Sequence, residues 1–354
     1  MTQQSARRGV LCVGTLVVDV AKVVDLYPEQ DRLAIIESVG LSTGGPALNL
    51  AMDLALVGAG YPLSVAGRVG VDQHADLIRD TLRHNRIDAT GVVGEPSAAT
   101  SFTDAMIVKD GGRRTFFHHI GANGLLTADA VDLASPPAST ARILHVGAPG
   151  LHPALDDAVD PATDHAAGPG NGWSRLLAAA RAAGLRTNLE LVTLPPPRLR
   201  ALVLPCLPHL DSLIVNDLEA CSLADVAPPP AGPDDEIDWP LLEAVAATLV
   251  GRGVHQVVAV HFPGGAVAAD ALGNRWRQGS VRLPREQIRN ATGAGDAFAA
   301  GVVHGLHEGW TIADSLRAGV SVAAASLRGA GTSDGVLPLA DCLQLGERHG
   351  YRPS

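Results

Sequence analysis

The sequence lacks what would send a chain to a membrane, a nucleic acid or an oxidising compartment. No apolar segment approaches the ~20 residues a membrane helix needs. Lys and Arg number 27 against 37 Asp and Glu, a formal charge of −10, and no basic run interrupts that balance. An acidic chain of this kind is a poor partner for nucleic acid or an anionic lipid surface. Aromatic residues are scarce, with five Phe, three Tyr and four Trp in 354 residues, so a slot for a flat ring would rest on few side chains. The four cysteines, Cys12, Cys206, Cys221 and Cys342, lie far apart, with no CxxC pair and no Cys/His metal spacing. They read as buried, reduced thiols of a cytoplasmic protein. Arg7-Arg8 before Val10–Val18 has the outline of a secretion signal. Asp19 and Lys22 follow directly, however, and no small-residue cleavage site is evident, so a buried first strand is the better reading.

What the chain does have is alternation. It is 46% hydrophobic, with 39 Gly and 24 Pro, and long enough for one large α/β domain or two ordinary ones. Val10–Val20 is a near-continuous apolar run, broken by Gly14 and Thr15 and closed by Asp19. It predicts a strand covered on both faces, as in a parallel sheet. Residues 33–43 predict a second, half-exposed strand. Gly44-Gly45-Pro46 then opens a helix with Leu50, Leu54 and Val57 on one face and Gly58 as its stop. Pro62–Gly70 predicts a short strand, and Asp72 opens a helix to about Asn85. Residues 101–108 and 113–119 flank Asp110-Gly111-Gly112 as a hairpin. With residues 17–41 they would form a small sheet apart from the main domain. Strands predicted at Ile143–Val146, Arg186–Leu191, Ser212–Val215 and Gln256–Val260 then alternate with helices near 173–183, 196–204, 217–223 and 239–252. Alternating βα units imply a parallel sheet with helices on both faces. Residues 156–172 and 226–238 read as surface loops, Gly264–Ala269 with Asn274–Val281 as a hairpin, and 296–307, 311–328 and 337–346 as helices.

The most informative stretch is residues 290–301, NATGAGDAFAAG. Thr292, Gly293, Ala294 and Gly295 form a turn without bulky side chains, and a helix with Phe298, Val302 and Leu306 on one face follows. The first amides of a helix have no partner within it, and its dipole favours negative charge there. The turn can therefore hold a phosphate, or the charge that builds up in phosphoryl transfer. Asp296 would repel such a group, so it reads as a base for an acceptor hydroxyl. In isolation it could equally be a helix cap.

These elements together resemble the ribokinase-like, or phosphofructokinase-B, family of carbohydrate kinases, from about Val10 to Leu337. The C-terminal signature Asn290–Gly301 carries the likeness. Gly44-Gly45 with Asn49, Gly67–Asp72, Arg114-Thr115 to Asn123, and Asn216-Asp217-Leu218-Glu219 support it in the family's order. The resemblance implies a three-layer αβα sandwich with a mostly parallel central sheet and a small β-sheet lid. It implies a single kinase domain over residues 9–346, with the lid from about 17–43 and 100–120 and a flexible N-terminus at 1–8. Asp296 would be the catalytic base, and Gly293, Ala294 and Gly295 the amides of an anion hole. Asp19, Gly44, Gly45, Asn49 and Asn123 would contact the sugar. Asn188, Asn216 and Thr292 would contact the nucleotide, and Glu219 would act on magnesium through water. The cofactors implied are ATP and Mg2+. The unpaired edge that a small projecting sheet would expose separately suggests a homodimer through the lid.

Some positions depart from the family. Asn290 is uncharged where some relatives carry an Asp that helps a monovalent cation, which weakens the case for potassium. His261-Phe262-Pro263 replaces a Thr-x-Gly stretch, so that threonine's nucleotide contact cannot be carried over. Val17 stands where ribokinase has Asn, and Ala75 where Gly is commoner. Of the adjacent His118 and His119 only one can face the sugar, because neighbours on a strand point to opposite faces. The expected activity is ATP-dependent phosphorylation of a small sugar or sugar-like hydroxyl compound. The alternatives are a nucleoside kinase of the same fold and a non-catalytic sugar sensor. Gly58-x-Gly60 ends a helix instead of following a strand, which excludes a dinucleotide dehydrogenase.

Overall fold

A computed structural model describes residues 7–110, 113–158, 170–229 and 238–354. The elements run, in order, β1 (Val10–Gly14), β2 (Val17–Val24), β3 (Ile36–Gly44), α1 (Pro46–Leu56), β4 (Leu63–Val69), α2 (Gln73–His84), β5 (Asp88–Gly94), β6 (Phe102–Val108) and β7 (Arg114–His119). They continue with β8 (Ile143–Gly147), α3 (Pro153–Asp156), α4 (Gly172–Ala182), β9 (Arg186–Leu189), α5 (Pro196–Val203), β10 (Ser212–Asn216), α6 (Asp217–Ala224) and α7 (Trp239–Gly251). The last part holds β11 (Val257–Phe262), β12 (Gly265–Asp270), β13 (Arg275–Gly279), α8 (Ala294–Glu308), α9 (Ile312–Ser326) and α10 (Leu339–His349).

Nine strands form one sheet in the order β13-β12-β11-β10-β9-β8-β1-β4-β5. It is parallel from β11 to β5, and β12 and β13 add an antiparallel edge. Side-chain alternation splits β1 between two cores. Leu11 and Val13 join Trp173, Leu176, Leu202 and Leu249 under α4–α7, while Val10 and Cys12 join Leu50, Leu54, Ile78, Phe298 and Leu316 under α1, α2, α8 and α9. This is the expected αβα sandwich. All four cysteines are free and buried. No described helix is long and apolar enough to cross a membrane.

The run Val10–Val20 is two strands, not one. The chain leaves the large sheet after Gly14 and enters a four-stranded sheet, β3-β2-β6-β7, at Val17. Asp19 therefore lies on the small sheet, not at the end of the first strand. An apolar run cannot show this division, because β2 is buried at its start and half-buried later. The small sheet is the expected lid, built from residues 17–44 and 102–119; the hairpin tip Gly111-Gly112 lies outside the described residues. Residues 1–6 and most of the two expected surface loops lie outside them too. Arg8 is tied in, its amide donating to Thr140 O at 3.0 Å, and Arg352 N donates to Ser280 O at 2.8 Å. Strand β5 had no counterpart in the sequence reading. It is a half-exposed edge strand with a register shift against β4, which blurs any period-2 signal.

Candidate active site

The carboxyl ends of the parallel strands, where ligands bind in open α/β sheets, meet the N-termini of α1 and α8. Gly293 precedes α8 with φ 83°, and a Cβ there would lie 2.4 Å from Thr332 O, so only glycine fits this turn. Asn290 Oδ1 accepts from Thr292 N at 3.0 Å and shapes the same turn. Gly45 precedes α1 with φ 99°, and a Cβ there would lie 2.4 Å from Thr15 O. That tight entry places Asn49, one turn on, so that its Nδ2 donates to Asp296 Oδ2 at 2.6 Å.

Asp296 also shares a hydrogen bond with the carboxyl of Glu190, which emerges just beyond the end of β9. Two carboxyl groups in contact cannot both be ionised at low cost. Burial first, and then the Glu190 charge, hold Asp296 well above the ordinary carboxylate range, with Asn49 opposing. Burial, with the charges of Glu219 and Asp53, pushes Glu190 up to about 7. The pair therefore retains a proton that free carboxylates would have lost, and Asp296 is not the fully ionised weak base its ordinary pKa suggests. His145 Nε2 lies 3.2 Å from Glu190 Oε2, and burial holds this ring down at about 3, so it is neutral. Behind Asn49 on α1, Asp53 is fully buried, and burial, with the Asp296 charge and against Ser333, raises its pKa well above normal.

The other expected residues divide into two groups. Asp19, Gly44, Gly45, Asn49, Thr292, Gly293, Ala294, Gly295 and Asp296 converge on this cleft. A Cβ on Gly44 would come within 2.3 Å of Asp19 Oδ2, and Asp19, raised by burial despite a hydrogen bond from Thr103, also feels the Asp296 charge. Asn216 and Glu219 cap α6 reciprocally: Asn216 Oδ1 accepts from Glu219 N at 2.8 Å and Glu219 Oε2 accepts from Asn216 N at 3.1 Å. Burial pushes Glu219 up to about 7. Asn123 and Asn188 are instead turned into the fold. Asn123 Nδ2 donates to Leu16 O at 3.1 Å and its Oδ1 accepts from Leu16 N at 3.3 Å, which pins the crossing from β1 to β2. Asn188 Nδ2 donates to His145 Nδ1 at 2.8 Å, and its Oδ1 accepts from Ser212 Oγ at 2.9 Å, inside the sheet.

Glu190 was missed, although strand alternation pointed to it. Asn188 is within β9 and Glu190, two residues on, clears the sheet edge. Arg114, at the start of β7, was also missed as a contact. Its Nη1 donates to Thr292 Oγ1 at 2.7 Å and to Asn290 Oδ1 at 3.2 Å, linking lid to turn. A cavity of about 460 Å³ opens beside the start of α8, lined by Asn216, His261, Phe262, Val281, Ala294 and Gly295 among others. His261, the departure noted above, sits against Gly295, and burial lowers it to about 4, so its ring is uncharged there.

The sequence profile of the pfkB family carbohydrate kinases matches residues 7–339. Fructokinase-2 of Zea mays is 28% identical over 127 residues, 35% of this chain and 37% of its own length, so the chain spans about a third of that relative. The structure of Arabidopsis thaliana ribokinase complexed with ribose and ATP superposes with a TM-score of 0.74 at 19% identity, covering 96% of this chain and 98% of that one. The Methanocaldococcus jannaschii nucleoside kinase, an archaeal member of the ribokinase family, superposes with a TM-score of 0.71 at 18% identity, covering 97% and 99%.

Proposed function

The chain belongs to the pfkB family of carbohydrate kinases, and from that premise we propose that it moves the γ-phosphoryl group of ATP to a hydroxyl of a small sugar or sugar-like acceptor. The observation that carries the reading is Asn49 Nδ2 holding Asp296 Oδ2 at 2.6 Å at the start of α8, beside the amides of Gly293 and Gly295; the Ala294 amide donates to Ala291 O at 3.3 Å. Asp296 takes the acceptor's proton as the new O–P bond forms, and those amides stabilise the charge on the transferring group. Asp19, Gly44, Gly45 and Asn49 face the acceptor. Asn123 acts at one remove, by fixing the entry to the lid, and Asn188 by orienting His145. Thr292 and Asn216 flank the nucleotide, whose base and sugar enter the cavity beside α8.

The residues present fit a divalent cation. Glu190 and Glu219 are buried carboxyl groups whose pKa burial pushes up to about 7, and Glu190 Oε2, with His145 Nε2 at 3.2 Å, keeps lone-pair capacity for a cation. A magnesium ion arriving with the triphosphate would neutralise charge on the transferring group, with Glu219 reaching it through water. Among the described residues no three His, Cys, Asp or Glu side chains converge on one ion, which suits a metal brought in by its nucleotide.

A second reading, nucleoside phosphorylation, is favoured by Phe116, which is 59% exposed on the lid and could stack on a base. Coupled measurement of ADP release decides between them. The sugar reading expects turnover on members of a panel of pentoses, ketohexoses and polyols and little on adenosine, inosine or cytidine. Faster turnover on nucleosides overturns it. ATP binding without turnover on any acceptor leaves the sensor. The lid also suits a second copy of the chain: β3 is an edge strand with Ile36, Val39 and Leu41 exposed. Light scattering at monomer mass would remove that assembly.

A further inference from the structure

The lid has two faces that strand register separates. One rung runs Ser42–Asp19–Thr103–His118 across β3, β2, β6 and β7, and another runs Gly40–Ala21–Ala105–Phe116. Side chains alternate along a strand, so Arg114, Phe116 and His118 share a face with Asp19, while Phe117 and His119 point away. Two contacts identify the shared face as the cleft side. Arg114 reaches Thr292 and Asn290 of the anion turn, and Asp19 packs beside Gly44 within the field of Asp296. His119 rests instead near Phe102, ring centroids 5.1 Å apart, and Phe102 in turn meets His74 of α2 at 5.9 Å. From its start to its end, the cleft face of β7 thus runs from the anion turn to the acceptor end.

Thr103 links Asp19 and His118 on this rung. When Asp19 is ionised, the neighbouring Thr103 hydroxyl directs its single proton to that carboxylate. In that arrangement the 3.0 Å contact between Thr103 Oγ1 and His118 Nδ1 takes its proton from the imidazole. A neutral imidazole carries one N–H, so Nε2 is left as an acceptor. A lone pair and a carboxylate on one rung favour hydroxyl donors and disfavour an anion.

We propose that His118 is a specificity-determining residue, accepting at Nε2 a hydrogen bond from a second hydroxyl of the acceptor while Asp19 takes the first. The proposal rests on the kinase reading and deepens it: the acceptor is a neutral polyhydroxy compound, not a sugar phosphate or sugar acid.

The test compares His118→Ala, His118→Gln and the opposite-face control His119→Ala, using D-ribose, D-fructose and their monodeoxy analogues as probes. For the best-bound sugar, His118→Ala is expected to raise Kd and KM about tenfold, with kcat within about threefold and ATP affinity unchanged. Gln, which keeps an acceptor oxygen, restores part of the loss. One monodeoxy sugar binds wild type and His118→Ala equally, because the hydroxyl that His118 contacts is missing. Equal effects of His118→Ala and His119→Ala, or a change confined to ATP, overturn the proposal. If wild type phosphorylates none of the probes, the transfer reading falls. The calorimetric Kd values, measured without ATP, still decide the role of His118.

Discussion

The two ends of helix α8 place buried polar groups in opposite states of completion. At the C-terminal end, His307 Nε2 accepts from Gly9 N at 3.0 Å and its Nδ1 lies 2.8 Å from Glu308. The ring stacks on Tyr61 at 3.7 Å, and Arg142 donates to the His307 carbonyl. Both His307 ring nitrogens have partners, and a basic side chain satisfies the helix end. At the N-terminal end, Glu190 Oε2 meets His145 Nε2 at 3.2 Å and the buried Asp53 carboxyl stays short of partners. Unmade hydrogen bonds in a buried site cost free energy. One end of the helix is finished by the fold, and the other is left for a ligand to finish.

Four substitutions sharpen or break that contrast, taken from the largest effect down. Asp296→Asn is expected to lose at least about 100-fold in kcat while calorimetry still detects sugar and ATP. Near-normal turnover would remove the base. Arg114→Ala, which cuts the lid from the anion turn, is expected to lower kcat/KM for ATP roughly tenfold; an unchanged value would make the contact incidental. His307→Ala should leave kcat alone and cost about 2 kcal/mol in urea unfolding, because it orphans the Gly9 amide. A kinetic defect there would deny that the two ends differ.

Asp53→Asn is the smallest and has a sign. The folded-state pKa of Asp53 is raised, so its contribution to stability is present below the ordinary carboxylate range and is lost as pH rises. The variant should therefore be more stable than wild type by about 1 kcal/mol at pH 8, a gain that vanishes near pH 4. His307 runs the other way. Burial lowers it to about 4, so its contribution is present above about 6.5 and lost as pH falls toward 4. Urea midpoints across pH check both slopes, and parallel curves for wild type and Asp53→Asn would refute the first.

Much of this molecule was readable before any coordinates. The αβα class followed from βα alternation, and the anion turn from Gly293-Ala294-Gly295 before a helix. The paired glycines Gly44-Gly45 likewise marked the turn that delivers Asn49. What escaped was which way side chains face when an element ends or changes sheet. Asp19 follows an apolar run and was placed on it, yet it belongs to the lid because β1 and β2 part at Gly14. Asn188 is the residue the family resemblance assigns to the nucleotide; β9 stops at Leu189, and Glu190 emerges beyond it. The contacts of Arg114 with residues 176 and 178 positions away are tertiary, and no local pattern encodes them.

The central claim is that the open end of α8 carries a base whose proton affinity is raised by burial and by Glu190. The most direct measurement is the pH dependence of kcat/KM for the best acceptor, wild type beside Asp296→Asn. The expected wild-type rate falls on the acid side with a midpoint above the ordinary carboxylate value of about 4, and the residual rate of the variant is flat across that range. An acid limb shared by both proteins, or a wild-type rate that stays flat down to about pH 4, would contradict it.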